Sequence, residues 1–152
     1  MKVLSVRQPW VSLILDGIKD VENRRWSTSF RGTFALHSSS ARVRADFDEA
    51  VLTYRNFADC DNAFAENAVR ECSGGFLNAP CGYILGVCDL VDCKRAVCSP
   101  WHISGFCGFY LENPRWFKNP IPAKGSLGFW NADFDLDDAL GVERKHYIGR
   151  AL

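Results

Sequence analysis

Leu4–His37 reads LSVRQPWVSLILDGIKDVENRRWSTSFRGTFALH, and its punctuation orders the rest of the chain around it. Lys2–Val6 has strand character, and Pro9 suits the first turn of a helix, where its missing N–H is not needed. Between Trp10 and Asp16 only Ser12 and Asp16 are polar, so the helix expected over Pro9–Asp16 should be buried on most sides. Gly17 can take the left-handed conformation that ends a helix, with Ile18 packing back on the last turn. The reversal delivers Lys19, Glu22 and Arg24 just past a buried helix, and Arg7 and Gln8 sit just before it. Charged side chains held at both ends of a buried element point to a site. The competing reading is an ordinary edge strand whose charges are solvated or pair with one another. In extended backbone Glu22 and Arg24 share a face while Lys19 points to the other, so a common cleft requires a turn at Ile18–Asp20.

Strands are expected over Val21–Trp26 and, more clearly, over Thr33–His37, with Phe34 and Leu36 on one face and Thr33, Ala35 and His37 on the other. A histidine so placed is more often a core or rim residue than a catalyst. Ser38, Ser39 and Ser40 can cap the helix that follows, in which Val43, Phe47, Val51 and Tyr54 fall at helical spacing. Asp61 can cap a second amphipathic helix carrying Phe64, Ala65, Ala68, Val69 and Cys72, and Gly74-Gly75 ends it. Gly82–Val91 is a nearly continuous apolar run, suited to a long buried strand bent at Gly86. After a polar link with Pro100, Trp101 and His102 comes an aromatic strand, Phe106–Glu112, broken by Asn113-Pro114. Pro120 and Pro122 bracket an extended segment, and Gly125–Trp130 reads as the last strand. Several short strands with one early and two middle helices suggest an α+β fold, a small β-barrel with helices outside. The tail, residues 133–152, is open to two readings, a docking helix or a partner contact.

With 152 residues, 47% hydrophobic and 13% aromatic, the chain is one domain's worth of folded protein rather than a disordered segment. Net charge is zero, unlike a general nucleic-acid coat, but its distribution is uneven. Residues 1–44 hold eight Lys/Arg against three Asp/Glu, and residues 45–99 hold four against nine. A basic first third with Trp10, Trp26, Phe30 and Phe34 interleaved can attract anions and stack on bases. VSLIL is too short for a signal-peptide core and nothing approaches a membrane span, so a cytoplasmic protein that does not meet a membrane is expected. The seven cysteines are an odd number without a CxxC, and are expected to be reduced. Cys88, Cys93 and Cys98 recur every five residues ahead of His102 but lack two tight ligand pairs, so no metal and no cofactor is expected.

GIKDVENR (Gly17–Arg24) resembles the GxKxxExR signature of the ASCH domain family. SVRQPW (Ser5–Trp10), RGTFALHSS (Arg31–Ser39), LENPRWF (Leu111–Phe117) and KGSLGFW (Lys124–Trp130) look like small single-domain bacterial and phage-type members, in the same order over residues 3–131. The resemblance implies a single ASCH domain over residues 1–152 with a PUA-like mixed barrel of five to six strands and a short helix after the first. It also implies recognition of RNA, a nucleotide or a modified nucleoside in a cleft lined by Lys19, Glu22 and Arg24, with Arg7, Gln8 and Trp10 beside them. Lys and Arg can neutralise phosphate, Gln8 and Glu22 can bond a base edge, and Trp10 or Trp26 can stack on it.

A branch of the family hydrolyses N4-acetylcytidine with a Lys and a Thr of the signature and a distant Glu. Here Glu22 stands at the Thr position, and Cys93–Trp101 holds no Glu. A modified scheme has Glu22 activating water and Lys19 holding the oxyanion. A metal-independent ribonuclease would draw on Lys19, Glu22, Arg24 and His37. Three readings thus stand together: a binding module, a hydrolase using Lys19 and Glu22, and a protein-interaction module working through the tail or the middle helices.

Overall fold

The computed structural model describes residues 1–96 and 98–142. Strand β1 (Lys2–Gln8) leads into α1 (Trp10–Leu15), followed by β2 (Val21–Arg24) and β3 (Gly32–Arg42). Three helices come next, α2 (Arg44–Ala58), α3 (Asn62–Ser73) and the four-residue α4 (Gly75–Asn78). Strands β4 (Tyr83–Lys94), β5 (Cys107–Pro122) and β6 (Phe129–Asn131) complete one six-stranded sheet, ordered β2-β5-β4-β3-β1-β6, and α5 (Leu136–Leu140) follows. β1 and β3 run parallel and every other pair is antiparallel. This is the expected α+β architecture, consistent with a small PUA-like, barrel-like fold. The sheet is not closed by hydrogen bonds, because β2 and β6 end the order without pairing.

Side chains span that gap. Trp26, just past β2, packs edge-on against Phe129 of β6 at 5.6 Å and Phe109 of β5 at 5.1 Å between ring centroids. Phe30 and Phe34 each reach Phe129 at 5.4 Å. Edge-to-face contacts of this kind add to the apolar area they bury. The Arg24 guanidinium donates to the Ser5 carbonyl at 2.7 Å, tying β2 to β1 just past the last residue that β1 pairs with β6.

Helix α1 is sunk in this frame: Val11, Ser12, Leu13, Ile14 and Leu15 are all buried. Its start is served by Gln8, whose Oε1 accepts from the backbone N–H of Ser12 at 3.3 Å and its hydroxyl at 2.9 Å. Its end is the expected glycine stop. Gly17 has φ +75°, its N–H bonds Ile14 O, and the N–H of Ile18 bonds Leu13 O at 2.9 Å, the pairing that satisfies the last carbonyls of a helix. Lys19 N–H also reaches Leu13 O at 3.0 Å, so the chain turns at Ile18–Lys19 before β2 begins.

Three expectations are corrected. Ser38–Ser40 do not cap α2. They extend β3, where Ser38 pairs with Tyr83 and its hydroxyl donates to Tyr83 O, and Val43 stands at the N-cap without a side-chain bond. Asn113-Pro114 does not break β5. The strand absorbs it as an irregularity opposite Val87–Asp89, where no ladder N–H is needed from proline, and Asn113 takes φ +50°. Strand β2 also stops at Arg24, short of Trp26. Asp61 caps α3 as expected, accepting from Phe64 N–H, and Gly74 ends it with φ +82°.

In the tail, α5 packs Ala139 into an apolar cluster with Phe117, Val87 and Val3. The rest of the tail expected to dock or bind, residues 143–152, lies outside the described residues. No helix among the described residues is long and apolar enough to cross a membrane.

The register of β4 against β5 shifts beside Gly86, where Leu15 meets the sheet. A Cβ on Gly86 would lie 2.6 Å from Leu15 Cδ2 and closer still to the backbone oxygen of Arg115. Backbone cannot yield as a side chain can, so Gly86→Ala should cost at least the upper end of the about 1–3 kcal/mol typical of overpacking. A drop in urea midpoint relative to wild type measures it, and an unchanged midpoint would refute this contact.

Candidate functional site

The turn after α1 brings the signature's charges together. Lys19 Nζ lies 3.1 Å from Glu22 Oε2 and also donates to the Val21 carbonyl, and Arg24 Nε lies 3.1 Å from Glu22 Oε1. Lys19 is 5% exposed and Glu22 8%, so the carboxylate is held out of water between two cations. The Arg24 contact is close enough for an ion pair, but its Nε–H is misaligned for a hydrogen bond and stays unpaired among the described residues. Lys19 Nζ also stands 5.7 Å from the centre of the Trp10 ring.

Lys19 and Glu22 line a cavity of about 390 Å³. Arg7, Trp10 and Asn23 line it with them, α2 supplies Asp46, Glu49 and Thr53, and the loop from Pro100 to Phe106 supplies the rest of the lining. Arg7 grips Asp46 through two bonds, of 2.6 and 3.0 Å, clipping the first turn of α2 to the end of β1. A larger groove of about 530 Å³ lies between α2, α3 and α4. None of the signature residues enters it, so size alone does not mark the site.

That loop is held by β2 and the turn before it. Asn23 Nδ2 donates to Trp101 O and Asn23 Oδ1 accepts from Ile103 N–H, both at 2.9 Å, while the Ser99 hydroxyl donates to Asp20 at 2.6 Å. Trp101 packs edge-on against Trp10 at 6.5 Å. Its indole Nε1 and the Nδ1 of His102 are both buried without a partner among the described residues. A buried polar group left unpaired costs about 1–3 kcal/mol.

Of the eight residues read from the sequence, Arg7, Trp10, Lys19 and Glu22 line the cavity, and Arg24 touches it only through Glu22 while bonding Ser5 O. Gln8 is fully buried at the start of α1, donating to Pro80 O as well. Trp26 belongs to the aromatic seam. His37 lies elsewhere in the sheet, with Nε2–H donating to Ala123 O at 2.9 Å and Nδ1 facing the Ser5 hydroxyl at 3.1 Å. The residues that sequence reading missed are Asn23, the α2 face and the Trp101–His102 loop. Their one local signal was an aromatic and a histidine set in a polar link between apolar strands. Among the described residues, no three His, Cys, Asp or Glu side chains come together in a way that could hold a metal ion.

A model of the ASCH domain family matches residues 4–121. Over 139 residues the chain is 31% identical to activating signal cointegrator 1 of Mus musculus and, equally, of Homo sapiens, which covers 86% of this chain and 22% of each relative. The chain belongs to the ASCH domain family. It spans only that minor share of the curated relatives it matches.

Two outcomes test this geometry. Glu22→Ala leaves Lys19 buried with no carboxylate, and should lower the unfolding free energy by about 3–5 kcal/mol in urea titrations. Burial lowers the His37 pKa below its ordinary 6.5, against a smaller upward pull from the Ala123 carbonyl. Folding therefore favours the neutral ring: its contribution is complete above the unfolded pKa and is lost as pH falls through the folded one. The urea midpoint should decline from pH 7 toward pH 5 in wild type and decline less in His37→Gln.

Proposed function

We propose that the protein binds RNA or a modified nucleoside in the Lys19/Glu22 cavity. The observation that carries this reading is the nearly buried Lys19–Glu22 pair in the wall of an aromatic-sided cavity of about 390 Å³, a volume in the range of small-molecule sites. Trp10, partly exposed, offers a surface for stacking, and Glu22 can accept from an exocyclic amine. Arg7, half exposed, and Arg25, whose guanidinium stands 5.3 Å from the centre of the Phe106 ring, can meet a sugar–phosphate backbone at the rim.

A second reading is hydrolysis of an acylated nucleoside or of RNA, supported by the 3.1 Å approach of Lys19 Nζ to Glu22 Oε2. In it Glu22 activates water and Lys19 holds the developing oxyanion. Both Glu22 oxygens face cations, so one pair has to open before the carboxylate can take a proton.

Titration of short single-stranded RNAs and a nucleoside panel separates the two. For RNA, affinity should fall as salt rises and should weaken about ten-fold or more in Lys19→Ala, with no product after long incubation. Acetate released from N4-acetylcytidine, and lost in Glu22→Gln, would establish the hydrolase instead. Binding by neither RNA nor any nucleoside would end both.

A further inference from the structure

Helix α2 presents one face to the cavity. Asp46, Glu49, Thr53 and Phe57 follow one another at intervals of three, four and four residues, so they lie on one side of the helix. Asp46 is bonded to Arg7, and Phe57 packs its ring against Trp101 at 6.3 Å. Arg7 and Trp101 both line the cavity, and so do Glu49 and Thr53, which stand on the stripe between these two contacts.

The other charges of the lining are taken. Arg7 is held by Asp46, and Lys19 by Glu22 and the Val21 carbonyl. The Glu49 carboxylate has neither an ion pair nor a hydrogen bond among the described residues, and the Thr53 hydroxyl one turn further on has no hydrogen bond. A glutamate on a helix surface can be satisfied by a Lys or Arg three or four residues away, but those positions hold Ala45, Asp46, Leu52 and Thr53. Burial also grades across the cavity. Lys19 is 5% exposed and Glu22 8%, Trp10 and Thr53 are partly buried, and Glu49 is exposed. A nucleoside that stacks its base on Trp10 beside the buried pair therefore keeps its sugar on the exposed side, where Glu49 stands.

We propose that Glu49 reads the free 2′,3′-diol of a ribonucleoside, either a free nucleoside or the 3′ end of an RNA, and rejects a phosphate on either of those oxygens. An ionised carboxylate offers two acceptor oxygens and no proton, which matches two neighbouring hydroxyls. Acidic side chains hold ribose hydroxyls in this way in dinucleotide sites. The same charge repels a phosphate ester at the diol, and no uncommitted cation in the lining offsets that repulsion. The inference rests on the nucleic-acid reading above and deepens it by naming the sugar as ribose with its diol unesterified.

The test uses the full chain and calorimetric titration with cytidine, uridine, adenosine, guanosine and N4-acetylcytidine. Their 2′-deoxy and 3′-deoxy analogues, their 3′-monophosphates, and short RNAs ending in a 3′-hydroxyl or a 3′-phosphate complete the panel. At least one ribonucleoside or 3′-hydroxyl RNA should bind, and removing either hydroxyl or adding the 3′-phosphate should weaken it about ten-fold or more. Tighter binding of the nucleoside would name the free form as the ligand, and tighter binding of the RNA would name its terminus. Glu49→Ala should bring the ribose and deoxyribose forms within about two-fold of each other. Glu49→Gln, which keeps an acceptor oxygen and removes the charge, should relieve the rejection of the 3′-phosphate. Glu49 is exposed and unbonded, so both variants should keep the wild-type urea midpoint, and lost discrimination then reports the contact rather than the fold. A deoxy analogue or a 3′-phosphate that binds wild type as tightly as its parent would overturn the proposal, and so would a ribose preference that survives Glu49→Ala. In either case, binding that is lost in Lys19→Ala leaves the nucleic-acid reading standing. Failure of every probe would overturn both.

Discussion

A carboxylate removed from water has to be neutralised, and Glu22 meets that demand from both sides. Lys19 reaches it from the turn after α1, and Arg24 from two residues further along β2. Each cation is itself anchored to backbone, Lys19 to Val21 O and Arg24 to Ser5 O. The result is a brace from the end of the buried helix, through β2, to the first strand. Loss of one member strands a charge in a place where hydration cannot repair it. The signature is thus as much a structural joint as a set of cavity-lining groups, and its three charges do not share one role. Lys19 and Glu22 line the cavity, while Arg24 holds β2 to β1 behind them.

The brace works together with the aromatic seam. Hydrogen bonding leaves the sheet open between β2 and β6, yet Trp26, Phe30, Phe109 and Phe129 fill the gap with ring contacts. Trp26 and Phe109 are therefore spent on cohesion of the frame. Gly86 completes it from below, since only a residue without Cβ allows Leu15 and the backbone of Arg115 to approach β4 so closely.

The cavity arises where that frame meets the insertions. Helix α2 is clipped over the end of β1 by Arg7 and Asp46, and the loop after β4 is clipped to β2 by Asn23 and to the turn before β2 by Asp20. Its walls come from positions as far apart as Arg7 and Phe106, held by bonds between side chains rather than by one element. These bonds pair most of the ionic groups of the lining with one another.

Much of this was legible residue by residue. The alternation through Phe34, Leu36 and His37, the apolar run of α1, the glycine stop at Gly17 and the Asp61 cap are local signals, and local backbone preference and burial are enough to decode them. Ser38–Ser40 and Asn113-Pro114 were misread because their local chemistry allows a cap or a break, and pairing with a distant strand overrode it. Trp26 and His37 are chemically able to bind a ligand, and nothing within a few residues of them says that their ring or polar atoms are already taken; Gln8 is claimed in part by its neighbour Ser12 and in part by the distant Pro80 carbonyl. Side-chain chemistry and short-range periodicity were enough to determine the helix stop, most strands and the family signature. Which aromatic rings are spent on the seam, and that Trp101 and His102 line the same cavity as Lys19 and Glu22, were decided only by the tertiary structure, because the contacts that hold them, such as those of Asn23 with Trp101 and Ile103 and of Trp26 with Phe129, join residues far apart in sequence and follow from packing that no local segment encodes.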